Sequence, residues 1–117
     1  MRKEFLPFSR PTIDDDAVRD VTACLKSGWL TTGPKTIEFE KMFQQYTGAK
    51  YAVSVNSATA GLHLALLAFG IGKGDEVITT PMTFVATVNT IIFAGATPVL
   101  ADIDAKTLNI LPQNIER

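Results

Sequence analysis

Residues 51–66, YAVSVNSATAGLHLAL, constrain the fold more than any other stretch of the chain. The first part, 51–56, is typical of a buried strand, and the small polar residues after it lead directly into a helical pattern. So short a turn leaves the backbone N–H groups of Ser57, Ala58 and Thr59 unpaired at the positive end of the helix dipole. The sequence therefore predicts an anion site at this turn, most naturally for phosphate.

A helix cap that binds no ligand is the alternative interpretation of the same turn, because Ser and Thr are common capping residues. Neither G-x-G-x-x-G nor G-x-x-x-x-G-K-[ST] occurs in the chain. Neither a dinucleotide fingerprint nor a P-loop is therefore supported.

The rest of the chain alternates helical patterns with short apolar runs. The predicted helices are about 14–27, 36–47, 59–69, 84–94 and a first turn at 112–117, and the predicted strands are 51–56, 76–79 and 97–101. This order favours an α/β fold, with a three-stranded parallel sheet and helices on its faces. Because the pattern breaks off rather than closes, we expect an incomplete domain with an open sheet edge and exposed apolar surface.

Composition excludes several classes of protein. With 46% apolar residues, 20% charged residues and a net charge of −1, the chain matches an ordinary globular protein and lacks the footprint of a nucleic-acid or anionic-membrane binder. No apolar run approaches the ~20 residues of a membrane helix. The single cysteine, Cys24, excludes an internal disulfide, and a cytoplasmic protein is expected.

Two further segments could contribute to a site. Phe84 follows the second predicted strand, at the carboxyl edge where open α/β sheets bind ligands, and its ring could stack on a heteroaromatic cofactor or pack in a core. The loop 28–34, GWLTTGP, could present hydroxyl and backbone groups to a polar substrate. A buried Trp29 that only anchors this loop is the alternative.

Other polar residues are expected to be structural. His63 lies in an apolar helix and is assigned to packing, and Asp102 and Asp104 are assigned to turns. Lys73 occupies a solvated turn, which makes it a poor candidate for covalent catalysis. The aspartates at 14–16 favour helix capping over metal binding, so the chain offers neither a metal site nor a catalytic residue.

Several blocks occur in an order that resembles the amino-terminal part of the DegT/StrS family of pyridoxal-phosphate (PLP) sugar aminotransferases. The blocks are LPFSRP (6–11), SGWLTTGP (27–34), SATAGL (57–62), GKGDEVI (72–78) and GATPV (95–99). By this resemblance the turn at Ser57 holds the PLP phosphate through the amides of Ala58 and Thr59 and the Thr59 hydroxyl. Phe84 stacks on the pyridine ring, where relatives often carry tryptophan.

The resemblance also implies a substrate and a fold. It is greatest to members that move an amino group from glutamate to C4 of a UDP-linked keto-pentose for lipid A modification, and it places Thr32 and Gly33 near the nucleotide sugar. The implied fold is that of type I PLP-dependent aminotransferases, normally homodimers. Residues 1–117 are then the amino-terminal part of the large PLP-binding domain.

The family's cofactor-pairing aspartate and its covalent lysine belong beyond position 117, so we expect this chain alone to be inactive. Two other interpretations stay open. One is a non-catalytic anion-binding or assembly module, and the other is a PLP-dependent sugar dehydratase of the same family, in which a histidine replaces the lysine.

Overall fold

The chain divides into two units, Met1–Ser54 and Val55–Arg117, and the computed structural model describes residue 5 and residues 7–116. The first unit contains helix α1 (Asp15–Ser27) and helix α2 (Pro34–Thr47). Asp14 caps α1 by accepting the amide of Ala17 at 2.9 Å, as its acidic start predicts. Both helices end at a glycine in the left-handed conformation, Gly28 with φ 75° and Gly48 with φ 72°.

Helix α2 starts two residues before the predicted position because proline suits the first helical turn. Pro34 has no N–H to lose there, and Gly33 precedes it as the N-cap without a side-chain hydrogen bond. The apolar stripe of α2 forms and is exposed, in line with the exposed apolar surface expected of an incomplete domain. Its residues are Phe39, Met42, Phe43 and Tyr46, which are 49–91% exposed.

The second unit contains a two-stranded parallel sheet and three helices. Their bounds are α3 (Ala58–Ala68), β1 (Glu76–Thr79), α4 (Ala86–Phe93), β2 (Thr97–Leu100) and α5 (Pro112–Ile115). Strand register runs from Glu76↔Thr97 to Thr79↔Leu100. The α/β class is confirmed, and each of these elements lies at or within two residues of its predicted position, with Arg117 outside the described residues.

Residues 51–56 form no strand, so the predicted third strand is wrong. A strand exists only when a neighbour pairs with its backbone, and no described residue forms a ladder with this segment. Its backbone makes a side-chain contact instead, in which the Ser54 amide donates to the Glu40 carboxylate at 2.7 Å. The sheet among the described residues therefore has two strands rather than three.

The buried side chains of the second unit centre on α4. Thr90 and Ile91 are 1% and 2% exposed, and Ala86, Ala96 and Ala101 complete the core. The Thr90 hydroxyl is satisfied inside the helix, since it donates to the Thr87 carbonyl at 3.1 Å. This core fixes α4 against both strands and thereby sets where α4 begins.

The turns that follow α3 and α4 lie together at the amino ends of the two strands. The Thr97 amide donates to the Asp75 carbonyl at 2.9 Å, and a Cβ added to Gly95 would lie 3.5 Å from the Lys73 nitrogen. Since α3 and α4 also pack against each other, both helices begin toward the opposite, carboxyl edge of the sheet. This edge is where open α/β sheets bind ligands.

Candidate functional site

The turn before α3 leaves two adjacent backbone amides without an acceptor. Ser57 is the N-cap of α3, and its Oγ accepts the Ala60 amide at 3.2 Å. The Gly61 amide donates to the Ser57 carbonyl at 3.1 Å. Within the described residues, the amides of Ala58 and Thr59 donate to nothing, so they are available to a ligand.

Ser57 itself is fully engaged by the chain. Its hydroxyl donates to Asn56 Oδ1 at 3.1 Å while accepting from Ala60. The side chain therefore shapes the turn, and the amides of Ala58 and Thr59 are the groups that remain free. Sequence reasoning missed Asn56, whose side chain orients the Ser57 hydroxyl. The only signal was an amide residue directly before the capping serine.

The positive end of the α3 dipole carries no compensating side chain. Residues of the first turn are uncharged, whereas the first turn of α1 contains Asp15 and Asp16. An acidic first turn neutralises a helix end from within, and an uncharged one leaves it for an external anion. The start of α3 is thus suited to phosphate in a way that the start of α1 is not.

The surroundings of Gly61 leave room for a side chain. A Cβ at this position would lie 3.7 Å from Val55 Cγ2, which is an ordinary contact. The described residues therefore show no close approach that requires glycine in the first turns of α3.

Phe84 lies in the segment between β1 and α4, two residues before the helix starts. Prediction placed it at the first position of the helix, but Val85 is the N-cap and α4 begins at Ala86. The Phe84 carbonyl accepts the Thr87 amide at 3.0 Å, while the side chain is 77% exposed. Because β1 leads into this segment, Phe84 follows the carboxyl end of the sheet, as predicted, with its ring open to solvent.

The loop before α2 is organised by Trp29. Its indole Nε1 donates to the Thr32 carbonyl at 2.9 Å, and its backbone amide donates to Ser27 Oγ at 3.1 Å. Gly33 is buried although its neighbours are exposed. Trp29 anchors the loop as the alternative interpretation proposed, but at 57% exposure the indole is not buried.

Of the two predicted substrate residues, Gly33 borders an open groove of about 740 Å³ between the end of α1 and the start of α2, together with Thr31, whereas Thr32 does not line it. Lys35 also borders this groove, but its charge is occupied. Its Nζ lies 3.0 Å from a Glu38 carboxylate oxygen and 3.2 Å from one of Asp20. Hydrogen bonds and attraction from these two carboxylates raise the pKa of Lys35, so it is no free cation for a phosphate.

The residues assigned to structural roles take such roles. The His63 ring meets the Phe93 ring edge-on at 6.2 Å between centroids, and its Nε2 is buried without a hydrogen bond among the described residues. Asp104 accepts the amides of Thr107 and Lys106 at 2.7 and 2.9 Å in a surface turn. These two amides, that of Thr107 first, lower the pKa of Asp104.

No three His, Cys, Asp or Glu side chains between residues 7 and 116 are grouped to hold a metal ion. None of the helices there has both the length and the apolar character needed to cross a bilayer.

Comparison with known proteins gives a consistent class. Residues 11–117 match the DegT/DnrJ/EryC1/StrS aminotransferase family. The chain is 59% identical over 115 residues to the spore coat polysaccharide biosynthesis protein SpsC of Bacillus subtilis. The aligned region covers 98% of this chain and 30% of SpsC. It therefore spans less than a third of the length of that curated relative.

Solved structures give the same class. A candidate sugar aminotransferase of Streptococcus pneumoniae, solved in PLP and PMP forms, superposes with a TM-score of 0.86 and is 44% identical in sequence. The superposed region covers 95% of this chain and 28% of the Streptococcus pneumoniae chain. An aminotransferase of Psychrobacter cryohalolentis has a TM-score of 0.81 and 39% identity over 94% and 29%.

The chain belongs to the DegT/DnrJ/EryC1/StrS aminotransferase family. Its fold is part of the type I PLP-dependent aminotransferase fold, the fold of the Streptococcus pneumoniae protein that was solved in a PLP form. The described residues fit the phosphate of this cofactor, because the free amides of Ala58 and Thr59 supply two donors at an uncompensated helix end. The Thr59 hydroxyl makes no hydrogen bond within the described residues and can supply a third.

Proposed function

We propose that residues 1–117 are the amino-terminal part of the large PLP-binding domain of an aminotransferase that acts on a nucleotide-linked keto-sugar. The observation that carries this proposal is the pair of free amides at Ala58 and Thr59, which begin a helix at the carboxyl edge of a parallel sheet. Membership of an aminotransferase family gives that anion site its cofactor.

Each residue of the cofactor site has a separate task. The amides of Ala58 and Thr59 and the Thr59 hydroxyl donate to the phosphate and hold it against the positive end of α3. Ser57, fixed by Asn56, keeps the Ala60 amide occupied and so limits the free donors to two neighbours. The exposed ring of Phe84 covers one face of the pyridine ring. When bound, PLP supplies the electron-accepting ring through which amino groups are transferred.

The substrate side of the proposal rests on the family and on the loop before α2. Thr32 and Gly33 contact the nucleotide sugar, and glutamate is the amino donor. A UDP-linked 4-keto-pentose for lipid A is the first acceptor to test. A keto-sugar precursor of a surface polysaccharide is the second, because SpsC is named for spore coat polysaccharide biosynthesis. We further propose a cytoplasmic homodimer as the working form.

The cofactor site is tested by removing one amide without disturbing the helix. Ala58 is the first residue of α3, where proline is favoured, and Ser57 has the extended conformation (φ −160°, ψ 155°) that proline requires before it. Ala58→Pro therefore deletes a single N–H donor. The ligand is pyridoxamine 5′-phosphate, which has no aldehyde to react with lysines, and its affinity is measured by calorimetry.

We expect Ala58→Pro to weaken binding by about tenfold to a hundredfold, because a hydrogen bond to a charged group contributes about 1.5–3 kcal/mol. Asp15→Pro is the matched control, since Asp15 holds the same position in α1 and its cap, Asp14, is also extended. This control should bind as the wild type does. Equal affinities of wild type and Ala58→Pro would contradict the proposal that the amides of Ala58 and Thr59 bind the phosphate.

The same titration separates the enzyme from a simple anion-binding module. The free amides alone suit any phosphate, so a module would bind inorganic phosphate and pyridoxamine 5′-phosphate equally well. The proposed cofactor site binds the second more tightly, because only that ligand has a ring for Phe84 to contact.

A further inference from the structure

The loop before α2 is closed by a contact between one indole and one glycine. A Cβ added to Gly33 would lie 2.2 Å from Trp29 Nε1 and 2.3 Å from Trp29 Cδ1. Non-bonded carbon and nitrogen atoms cannot approach so closely, so any side chain at position 33 displaces the indole or the backbone. Gly33 is required here by the position of Trp29, since its extended conformation is open to every residue.

The indole also takes hold of the residue before this glycine. Its Nε1–H donates to the Thr32 carbonyl at 2.9 Å, which closes a ring from the side chain of residue 29 to the backbone of residue 32. The other end of the ring is tied to α1, because the Trp29 amide donates to Ser27 Oγ, and Ser27 Oγ donates to the Cys24 carbonyl at 2.7 Å. The backbone at 29–33 is thus held at both ends.

The loop leaves two hydroxyl groups free. Within the described residues, neither Thr31 nor Thr32 makes a side-chain hydrogen bond, and both residues are exposed. The Trp29 indole N–H is therefore hydrogen-bonded to the backbone, and both threonine hydroxyls remain available to a ligand. A loop with this division of roles holds its donors and acceptors in place before a ligand arrives, which lowers the entropy cost of binding.

We propose that Trp29 is a positioning residue for the nucleotide sugar, acting through the backbone of Thr32 and Gly33. This inference rests on the proposed function, because it takes the loop before α2 as the part that contacts the sugar substrate. Trp29 itself need not touch the ligand. Its indole N–H holds the Thr32 carbonyl, and its ring fixes the path of the chain across Gly33.

Two substitutions separate the hydrogen bond from the ring contact. Trp29→Phe keeps an aromatic ring and removes the N–H donor, and Gly33→Ala adds the methyl group that the indole excludes. Tyr46→Phe is the control for the first, because Tyr46 is 91% exposed and also loses one polar hydrogen. Gly72→Ala is the control for the second, since a Cβ there would meet its nearest neighbour at an ordinary 3.6 Å.

The readout is the affinity for UDP-glucose and for dTDP-glucose, two stable nucleotide sugars, measured by calorimetry on the full chain. The better ligand of the wild type is carried through the series. We expect Trp29→Phe to weaken binding about fivefold, as for one lost hydrogen bond, and Gly33→Ala roughly tenfold, since overpacking shifts the backbone. Both controls should bind as the wild type does, and 5-fluorotryptophan at position 29, which keeps the N–H, should retain full affinity.

A positioning role is distinguished from a merely structural one by two further measurements. The affinity for pyridoxamine 5′-phosphate and the unfolding midpoint followed by circular dichroism should be unchanged in Trp29→Phe. Loss of all three together would assign Trp29 to folding and overturn the inference. Unchanged nucleotide-sugar affinity in both variants would overturn it as well, whereas a wild type that binds neither nucleotide sugar would overturn the proposed function itself.

Discussion

The turn before α3 and the loop before α2 are both built from small and hydroxyl-bearing residues, yet they differ in which backbone groups are already hydrogen-bonded within the chain. Before α3, a serine cap takes one amide and leaves those of Ala58 and Thr59 free. Before α2, Pro34 has no amide, and an indole occupies the Thr32 carbonyl. The first segment is organised to receive an anion, and the second is organised to hold its own shape.

The difference shows that composition alone does not define a binding turn. The decisive quantity is the number of backbone N–H groups that have no hydrogen-bond acceptor within the chain. Charge sharpens the contrast, because Lys35 in the first turn of α2 is paired with Glu38 and Asp20. The first turn of α3 carries no charged side chain at all.

The largest expected effect comes from giving α3 an anion of its own. Thr59→Glu places a carboxylate beside the free amides, where it competes with the phosphate and repels it. We expect roughly a hundredfold loss of affinity for pyridoxamine 5′-phosphate, because like charges in contact cost several kcal/mol. Thr36→Glu, in the first turn of α2, is the control and should leave the affinity unchanged. Similar losses in both variants would remove the distinction between the two helix starts.

A smaller effect is expected at Phe84. Phe84→Leu keeps an apolar side chain and removes the flat ring, so binding of pyridoxamine 5′-phosphate should weaken about fivefold, in line with the energy of an aromatic pair. The affinity for inorganic phosphate should stay constant. Phe69→Leu serves as the control, because Phe69 is similarly exposed, at 85% against 77% for Phe84, but lies at the C-cap of α3, away from the free amides at the start of that helix. An equal loss of affinity for pyridoxamine 5′-phosphate and for inorganic phosphate would show that Phe84 affects the phosphate site at Ala58 and Thr59 and not the pyridine ring of the ligand.

Stability should respond to the cap that one segment has and the other lacks. Ser57→Ala removes the acceptor of the Ala60 amide and should lower the free energy of unfolding by about 1 kcal/mol, whereas Ser57→Gly should cost only a few tenths. Urea unfolding followed by circular dichroism measures both. If Ser57→Ala were as stable as the wild type, the cap would be dispensable and the two segments more alike than their hydrogen bonds indicate.

The smallest effect concerns Asp104. Its carboxylate accepts two adjacent backbone amides, those of Lys106 and Thr107, as the phosphate is proposed to do at α3. Donation from Thr107 and Lys106 lowers the pKa of Asp104, so its contribution to stability is present above the unfolded-state pKa and is lost as pH falls through the folded-state pKa. NMR titration should place the Asp104 midpoint below the ordinary aspartate range. The Thr107 amide resonance should shift with the same midpoint, and an ordinary midpoint would argue against this hydrogen bonding.

Local signals in the sequence were sufficient for most of the second unit and for the helix ends of the first. Gly28 and Gly48 end helices because glycine adopts the left-handed conformation at low cost, and the cap at Ser57 follows from its own residue type. Residues 51–56 carry an equally good strand pattern, but a strand depends on a partner that the pattern does not specify. Local sequence therefore predicted the start of α3 and failed for the segment that precedes it.

The site was predictable to the same extent. The amides of Ala58 and Thr59 are free because of where the helix starts, which the sequence indicates. The closure of Trp29 on Gly33 depends on a side-chain conformation, and no periodicity or residue preference encodes it. The apolar stripe of α2 had the spacing of a core helix, but its exposure depends on what lies beside it rather than on spacing.

Trp29 has one more consequence, for how the molecule can be observed. It is the only tryptophan in the chain, and the two tyrosines, Tyr46 and Tyr51, also lie within the first 54 residues. The second unit therefore contains no indole or phenol and is silent to tryptophan and tyrosine fluorescence. Emission from the unsubstituted chain reports on the first unit alone, so the melting of this unit can be followed by itself without attaching a dye.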